Sequence, residues 1–176
     1  MRRQTGLLIL GALLSLGQVA SAGPLEDGFD AVKRGDHATA LKLLRPLAER
    51  GDAKAQAAFG WLYKKGNGVR QDYKEAIKWY RLSAAQGDPM GFAELGNAYE
   101  EGHGVPQDNV RAHMWLNLAA AFVGGDPWIT ALLSDIVQSQ LGSRDRLAAK
   151  MTPSQIERAQ EMARKCEQSK FKDCGW

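Results

Sequence analysis

The chain has 176 residues, with 23 lysines and arginines against 20 aspartates and glutamates. A chain of this length holds one domain or a short repeat array and can bury a workable core. Residues 1–22 contain two of the arginines and no acid, so 21 basic and 20 acidic side chains remain beyond them. That balance gives no case for a nucleic-acid partner, which needs a concentrated basic face.

Residues 1–22 are interpreted as a secretory signal peptide. Two arginines near the start, an apolar run over residues 5–17 and a small-residue cleavage signal at 20–22 form the typical three-part pattern. The apolar run is shorter than the about 20 residues that a membrane span needs, so an uncleaved anchor is the weaker alternative. We therefore expect a periplasmic or secreted protein, with no stable membrane insertion after the signal is cleaved.

A 36-residue period follows the predicted signal. Residues 36–71 and 72–107 match at fourteen of 36 positions without a gap. A third copy starts at Asp108 and later gains two residues, and a partial first repeat helix is predicted at residues 23–35. One helical hairpin cannot bury its apolar face alone, so the copies are expected to stack into an array over residues 36–142.

Each period is predicted to form two helices. The first helix of each pair has an aspartate N-cap, which accepts hydrogen bonds from the free amides of the first turn. These caps are Asp52, Asp88 and Asp126. A Gly-x-Gly linker ends the first helix, and a capping box of Asp72 and Glu75 is predicted to start the second.

Two glycines lie inside predicted first helices, at Gly60 and Gly96. Glycine there costs about 1 kcal/mol relative to alanine. Their use at equivalent positions is explained if a neighbouring helix must come close at that point, so both are predicted to lie at helix–helix contacts.

The stretch GWLYKKGNGVRQDYKEAIKWYRLSAAQGD, residues 60–88, resembles the Sel-one-like repeat family, a relative of the tetratricopeptide repeats. The matching features are the G-x-G-V-x-Q-D linker, the A-I-K-W-Y segment and the closing Gly-Asp. The resemblance is strong over residues 36–126 and weak on either side. It implies an all-α fold, a right-handed α-solenoid of stacked helix-turn-helix repeats with a concave groove, and it implies no reaction.

The C-terminal part departs from this pattern. Residues 143–176 are predicted to cap the last exposed face of the array and to end in a tail. Thr152, Pro153 and Gln155 provide an N-cap, a first-turn proline and a capping-box glutamine for a charged amphipathic helix over residues 153–168.

Cys166 and Cys174 are the two cysteines of the chain. A lone pair in an exported protein usually forms a disulfide, so we predict a structural bond that ties down the tail. A metal or redox pair is the alternative. It is disfavoured because the pair lacks a CxxC spacing and has no nearby histidine.

The sequence contains no strong catalytic or metal-binding pattern. It has no G-x-S-x-G or HExxH motif. Two of its three histidines, His37 and His103, hold variable positions of the repeat and are interpreted as surface residues. The third, His113, lies on a predicted second helix, and its spacing from His103 is not a ligand spacing on one helix, so no metal and no cofactor are predicted. Three carboxylates that share a helical face, Glu94, Glu100 and Glu101, are interpreted as solvated rather than as an acid/base pair.

The resemblance to tetratricopeptide grooves also implies a binding surface. Variable residues on the first helices would face the groove, where Lys64 and Lys65 superpose on Glu100 and Glu101. The charge of the displayed surface therefore reverses while the frame is kept. The predicted groove residues are Lys54, Trp61, Lys64, Lys65, Met90, Asn97, Glu100, Glu101, Trp128 and Asp135. An aromatic side chain flanked by charges suits a peptide anchor.

The expected function is a non-enzymatic, exported scaffold or adaptor that holds a protein or peptide partner in the groove. The alternative is a cell-envelope hydrolase acting on peptidoglycan or β-lactams. Some cysteine-rich Sel-one-like proteins have been linked to β-lactam binding, but that branch has a cysteine pair in each repeat, and the repeats of this chain have none.

Overall fold

The structure is a computed structural model that describes residues 23–122 and 142–176. Within these ranges the regular structure is entirely helical, which confirms the predicted fold class. The helices are α1 (Pro24–Lys33), α2 (His37–Glu49), α3 (Ala53–Lys65), α4 (Tyr73–Ala84), α5 (Pro89–Glu101), α6 (Asn109–Phe122) and α7 (Pro153–Gln168), with a further helical stretch at 142–148.

The helices stack as consecutive hairpins. α1 packs on α2, α3 on α4 and α5 on α6, while α2 contacts α3 and α4 contacts α5 across the boundaries between hairpins. α7 packs on α6, as expected for a helix that caps the array. One buried apolar cluster lies among α1–α4 and a second among α4–α7, and Tyr63 packs against both. The predicted solenoid is confirmed.

The repeated Gln-Asp pair ties each linker to the helix before it. The Gln71 side-chain amide donates to the carbonyl oxygen of Lys64 at 2.9 Å, and the backbone N–H of Asp72 donates to the carbonyl oxygen of Tyr63 at 3.0 Å. The equivalent bonds one unit later are 2.8 Å from Gln107 to Glu100 and 2.9 Å from Asp108 to Tyr99. These donors satisfy carbonyl groups that a helix end leaves free, which explains why the linker sequence repeats.

The predicted aspartate caps form in the described hairpins. Asp52 accepts from the N–H of Ala55 at 2.8 Å, and Asp88 accepts from the N–H of Gly91 at 2.9 Å. The third predicted cap, Asp126, lies outside the described residues. At the start of α7, Thr152 forms the predicted capping box.

The capping box predicted at the start of α4 forms only in part. Asp72 accepts from the N–H of Glu75 at 3.0 Å. The Glu75 carboxylate pairs with Lys78 one turn along the helix, instead of returning to the Asp72 backbone. The Glu75 carboxylate therefore pairs with an exposed i,i+3 partner on its own helix and does not form the reciprocal capping bond.

The glycines inside α3 and α5 lie where the second helix of each hairpin comes close. A β-carbon on Gly60 would lie 2.7 Å from the ring of Tyr80, and one on Gly96 would lie 2.8 Å from the side chain of Leu116. Tyr80 and Leu116 are themselves 36 residues apart, so both hairpins use the same contact. The prediction that these glycines permit close approach is confirmed.

The predicted disulfide between Cys166 and Cys174 is also present, with 4.5 Å between the two α-carbons. Both cysteines are buried, one near the end of α7 and the other in the tail. The bond therefore holds the residues after α7 against the body of the array.

Candidate functional site

The predicted groove residues within the described ranges lie on α3 and α5, the first helices of two successive hairpins. These helices contact each other across the unit boundary. Each of these side chains is exposed or half-buried, so each can reach solvent. We define the groove face as Lys54, Trp61, Lys64, Lys65, Met90, Asn97, Glu100 and Glu101. The other two predicted groove residues, Trp128 and Asp135, lie outside the described residues.

An ion pair crosses the middle of the groove face. The Lys64 Nζ donates to Glu94 Oε2 at 2.7 Å, with side-chain exposures of 20% and 10%. The interpretation of Glu94 as a solvated residue is therefore wrong. Its equivalent one unit earlier is Ala58, so the carboxylate replaces a small buried residue at a unit boundary. Lys64 reaches this carboxylate from the neighbouring unit and provides its ion-pair partner.

Tyr80 lies beside this ion pair. Burial raises the pKa of the Tyr80 phenol well above its usual value of 10.0, and the nearby Glu94 carboxylate raises it further. The side chain is almost completely buried. A neutral phenol thus lies next to the Lys64–Glu94 pair, and the region beneath the groove face is a packed polar cluster.

The charge of the groove face reverses between units, as the sequence indicates. Lys65 ends α3 and Glu101 ends α5, at equivalent positions, and both are exposed. Glu101 Oε2 lies 2.8 Å from Nδ1 of His103, whose ring stacks on Tyr73 with 4.4 Å between the centroids. This end of the groove face therefore has an exposed lysine in one unit and an acid–imidazole pair in the next.

A polar cleft continues the groove face towards the cap. It has a volume of about 420 Å³. Its lining includes Asn97, Glu100 and Glu101 on α5 and, on the opposite side, Arg146 and Lys150 from the segment 142–150. Two carboxylates thus lie on one side of the cleft and two cations on the other. Sequence reasoning did not identify the basic side, because residues 143–150 do not follow the repeat.

A second cleft lies at the first linker. It has a volume of about 530 Å³ and is lined in part by Arg70, Tyr73, Lys74 and Gly104. The residues equivalent to the two cations in the next unit are Pro106 and Val110. This pair of cations in one unit could be seen in the sequence, but the resemblance to tetratricopeptide grooves predicts binding residues only on the first helices.

His113 lies on the second helix of its hairpin, as predicted, and it is buried in α6. Its Nδ1 lies 3.1 Å from the side-chain amide nitrogen of Asn117. Burial lowers the pKa of His113 from its usual 6.5, Arg144 lowers it further, and Asp145 partly opposes this. The equivalent residue in the preceding unit is Ile77, which is buried too, and that equivalence was the sequence signal for a core position.

No cluster of three potential metal ligands occurs among the described residues. No helix within residues 23–122 and 142–176 is long and apolar enough to cross a membrane.

Comparison with known proteins places this geometry in a family of repeat proteins. A profile of the Sel1 repeat matches residues 15–52, 53–88 and 93–121, which is more than half of the chain. No curated protein sequence matches the chain significantly.

Two solved structures resemble the fold. The first is c5321, a protective antigen of uropathogenic Escherichia coli strains that displays an SLR fold, with a TM-score of 0.67, 23% identity and 84% of this chain covered. The second is a Sel1 repeat protein from Oxalobacter formigenes, with a TM-score of 0.53, 31% identity and 57% of this chain covered. The matches span only 31% and 40% of those chains, so this chain corresponds to only part of the length of each.

Proposed function

The chain belongs to the Sel1 repeat family, whose members generally mediate protein–protein interaction, and we propose that it is an exported scaffold that binds an extended segment of a partner protein on the groove face. Such scaffolds are typically not enzymes. The binding surface would run from α3 across α5 to the polar cleft beside Arg146.

One observation carries this proposal. Successive hairpins keep the same linker bonds and the same glycine contacts, while equivalent exposed residues change from Lys65 to Glu101. Packing alone does not require a charge reversal at an exposed position. A partner that crosses the unit boundary, with an acidic group facing α3 and a basic group facing α5, does require such a charge reversal.

Trp61 is the proposed anchor of the partner. It is half-buried and packs against the apolar cluster of the first hairpins, while its equivalent on α5 is Asn97. A large aromatic ring that is partly exposed on a rigid helix loses little conformational entropy on binding and buries a large area. The aromatic contact is therefore expected to supply affinity, and the charges to supply register.

The Lys64–Glu94 pair supports this role indirectly. Since it joins α3 to α5 beneath the exposed residues, it holds the two helices in one relative position. Because the two helices are already fixed relative to each other, binding of a partner does not cost the conformational entropy of ordering them.

Export is the second part of the proposal. The pattern of residues 1–22 favours it, and the Cys166–Cys174 bond is compatible with an oxidising compartment. Mass spectrometry of the protein purified from a cell-envelope or culture-supernatant fraction tests this directly. We expect a mature N-terminus at Gly23, and a full-length chain retained in the cytoplasm would contradict export.

Partner binding is tested by affinity capture with three forms of the protein. The Trp61→Ala/Lys65→Glu variant changes two groove-face residues without touching the Lys64–Glu94 pair. Lys42→Glu makes the same charge change on an exposed position of α2 and is the matched control. We expect the first variant to lose the partner that the wild type and the control retain. Equal capture by all three would contradict the groove assignment, and turnover of peptidoglycan or β-lactams by the purified protein would contradict the non-enzymatic role.

A further inference from the structure

The residues after α7 return to the surface of the last described hairpin. We call residues 169–176 the tail segment. Phe171 packs against two aromatic rings of this hairpin, with centroid distances of 5.1 Å to Phe92 on α5 and 5.3 Å to Phe122 on α6. A β-carbon on Gly87 would lie 2.9 Å from the Phe171 ring, so the loop before α5 leaves just enough room for it.

A second anchor lies further along the tail segment. Trp176 packs on Trp115 of α6 with 5.2 Å between ring centroids, and it keeps 40% of its surface exposed. Arg111 Nη1 donates to the carbonyl oxygen of Gly175 at 2.8 Å and to the Tyr99 hydroxyl at 3.1 Å. Two aromatic contacts five residues apart and one backbone hydrogen bond are the elements by which a protein surface binds an extended peptide.

This surface is specific to the last described hairpin. The residues that lie 36 positions before Phe92 and Phe122 are Gln56 and Gln86, which hydrogen bond to each other at 2.8 Å. The residue 36 positions before Arg111 is Glu75, which has the opposite charge. The repeat therefore does not require Phe92, Phe122 and Arg111 at these positions. What the three side chains share is contact with the tail segment.

The tail segment reaches this surface in a backbone conformation that is costly on its own. Lys170 and Phe171 have φ values of 54° and 62°, in the left-handed region that non-glycine residues rarely adopt. Such residues persist when surrounding contacts determine them. Two restraints act here, the Cys166–Cys174 bond that closes the loop and the aromatic contacts of Phe171.

We propose that the α5–α6 surface around Phe92, Phe122, Arg111 and Trp115 is a binding site for an aromatic peptide segment, which the chain's own tail segment occupies while the Cys166–Cys174 bond is closed. Because both cysteines are buried, a dithiol of a thiol–disulfide oxidoreductase reaches the bond during transient local opening of the tail segment, and its reaction then opens the site. It supplies two electrons and two protons, Cys166 and Cys174 become thiols, and the dithiol becomes a disulfide.

The disulfide controls occupancy through effective concentration. While it is closed, Phe171 cannot move far from its pocket, and a competing peptide meets an occupied site. Once it is open, the strained residues at 170 and 171 relax, and the tail segment competes only as a loosely tethered ligand. The site uses residues outside the groove face, so the proposal does not rest on the proposed function, and the two can fail separately.

The experiment uses the full chain in its oxidised and dithiol-reduced forms. The probe is a fluorescent synthetic peptide with the sequence of residues 167–176 that carries Cys174→Ser. We expect binding to the reduced protein to be tighter than to the oxidised protein by at least about tenfold, and a probe that also carries Phe171→Ala to bind neither form. Equal binding of the first probe to both forms, or no binding to either, would overturn the proposal.

A second variant covers the case in which reduction unfolds the cap. Phe171→Ala in the oxidised protein removes the aromatic anchor and leaves the disulfide in place, so the site is expected to accept the peptide without a reductant. Lys172→Ala, an exposed side chain in the same loop, is the matched control and should leave the site closed. Hydrogen exchange of residues 169–176 should accelerate in Phe171→Ala and not in Lys172→Ala. Unchanged exchange and no peptide binding in Phe171→Ala would show that the tail segment is a fixed part of the core.

Discussion

Lys64 and Glu94 join two successive repeat units through one hydrogen-bonded ion pair of 2.7 Å, with the Glu94 side chain only 10% exposed. The pair links α3 to α5 directly. Because α4 and its neighbours already connect these helices by apolar packing, the ion pair adds a polar contact whose geometry is specific to one arrangement of the two units.

Removal of Lys64 alone is expected to be costly. Lys64→Ala leaves a buried carboxylate beside Tyr80 without its counter-ion. The free energy of unfolding should fall by about 2–3 kcal/mol, less than the about 3–5 kcal/mol typical of a fully buried pair, because Lys64 is partly exposed. The double variant Lys64→Ala/Glu94→Ala should recover much of this loss, since alanine is the residue equivalent to Glu94 in the preceding unit.

Urea unfolding of the four members of this cycle measures the coupling. Lys78→Ala is the control, because Lys78 forms an exposed pair with Glu75 and should leave the free energy of unfolding nearly unchanged. Additive effects of Lys64→Ala and Glu94→Ala would show that the pair does not connect the units energetically.

Gly60→Ala should destabilise the protein although alanine is the better helix former. The added β-carbon would lie 2.7 Å from the Tyr80 ring and 3.1 Å from the backbone oxygen of Ala76, so the two helices must separate. We expect a loss of about 1–3 kcal/mol from overpacking, measured by thermal or urea unfolding. In a Tyr80→Ala background, Gly60→Ala should lower the free energy of unfolding by less than it does in the wild type. An equal loss in both backgrounds would show that the strain does not come from the Tyr80 ring.

Asp88→Asn should stabilise the protein at neutral pH. Burial raises the pKa of Asp88 above its usual 3.8, against the opposing hydrogen bonds from Ser83 and Gly91. A carboxyl whose pKa is raised by folding binds its proton more tightly in the folded state, so its contribution to stability falls as the pH rises from the ordinary value through the raised one. Asparagine remains a good N-cap and carries no charge.

The measurement is the free energy of unfolding between about pH 3 and pH 7. The stability advantage of Asp88→Asn over the wild type should grow as the pH rises. If the stability advantage of Asp88→Asn shrinks as the pH rises, the pKa of Asp88 is not raised by folding and the assignment is contradicted.

His113→Ile should protect the protein from mild acid. Burial, with help from Arg144, lowers the pKa of His113 below 6.5. A histidine whose pKa is lowered by folding stays neutral in the folded state, so stability is complete above the unfolded pKa of 6.5 and is lost as the pH falls below it. Isoleucine, the equivalent residue in the preceding unit, cannot titrate.

Thermal unfolding at about pH 7 and about pH 5 compares the two proteins. The wild type should lose more stability on acidification than His113→Ile. Identical pH responses of the wild type and His113→Ile would contradict the buried-histidine assignment.

The repeat frame could be predicted because each of its contacts occurs twice. Gln71 and Gln107 make the same bond in successive linkers, and Gly60 and Gly96 make the same close approach. A contact that recurs at a fixed interval leaves a visible pattern in one sequence, and the solenoid follows from it.

The contacts that could not be predicted each occur once. Glu94 pairs with Lys64 although its own equivalent is Ala58, and Phe171 meets Phe92 across a long sequence separation that no period connects. Helical periodicity shows which face a residue lies on, but it does not show which partner in another unit will reach it. The polar cleft beside Arg146 was missed for the same reason, since its basic side follows the last repeat.

The most direct test of partner binding is photo-crosslinking in the exporting cell, followed by mass spectrometry. A photoreactive amino acid is placed at Trp61, at Asn97 and, as the control, at Lys42 on α2. We predict that the same partner protein is captured from both groove-face positions and not from the control position. Capture of the same proteins from all three positions, or of none from Trp61 and Asn97, would contradict the account.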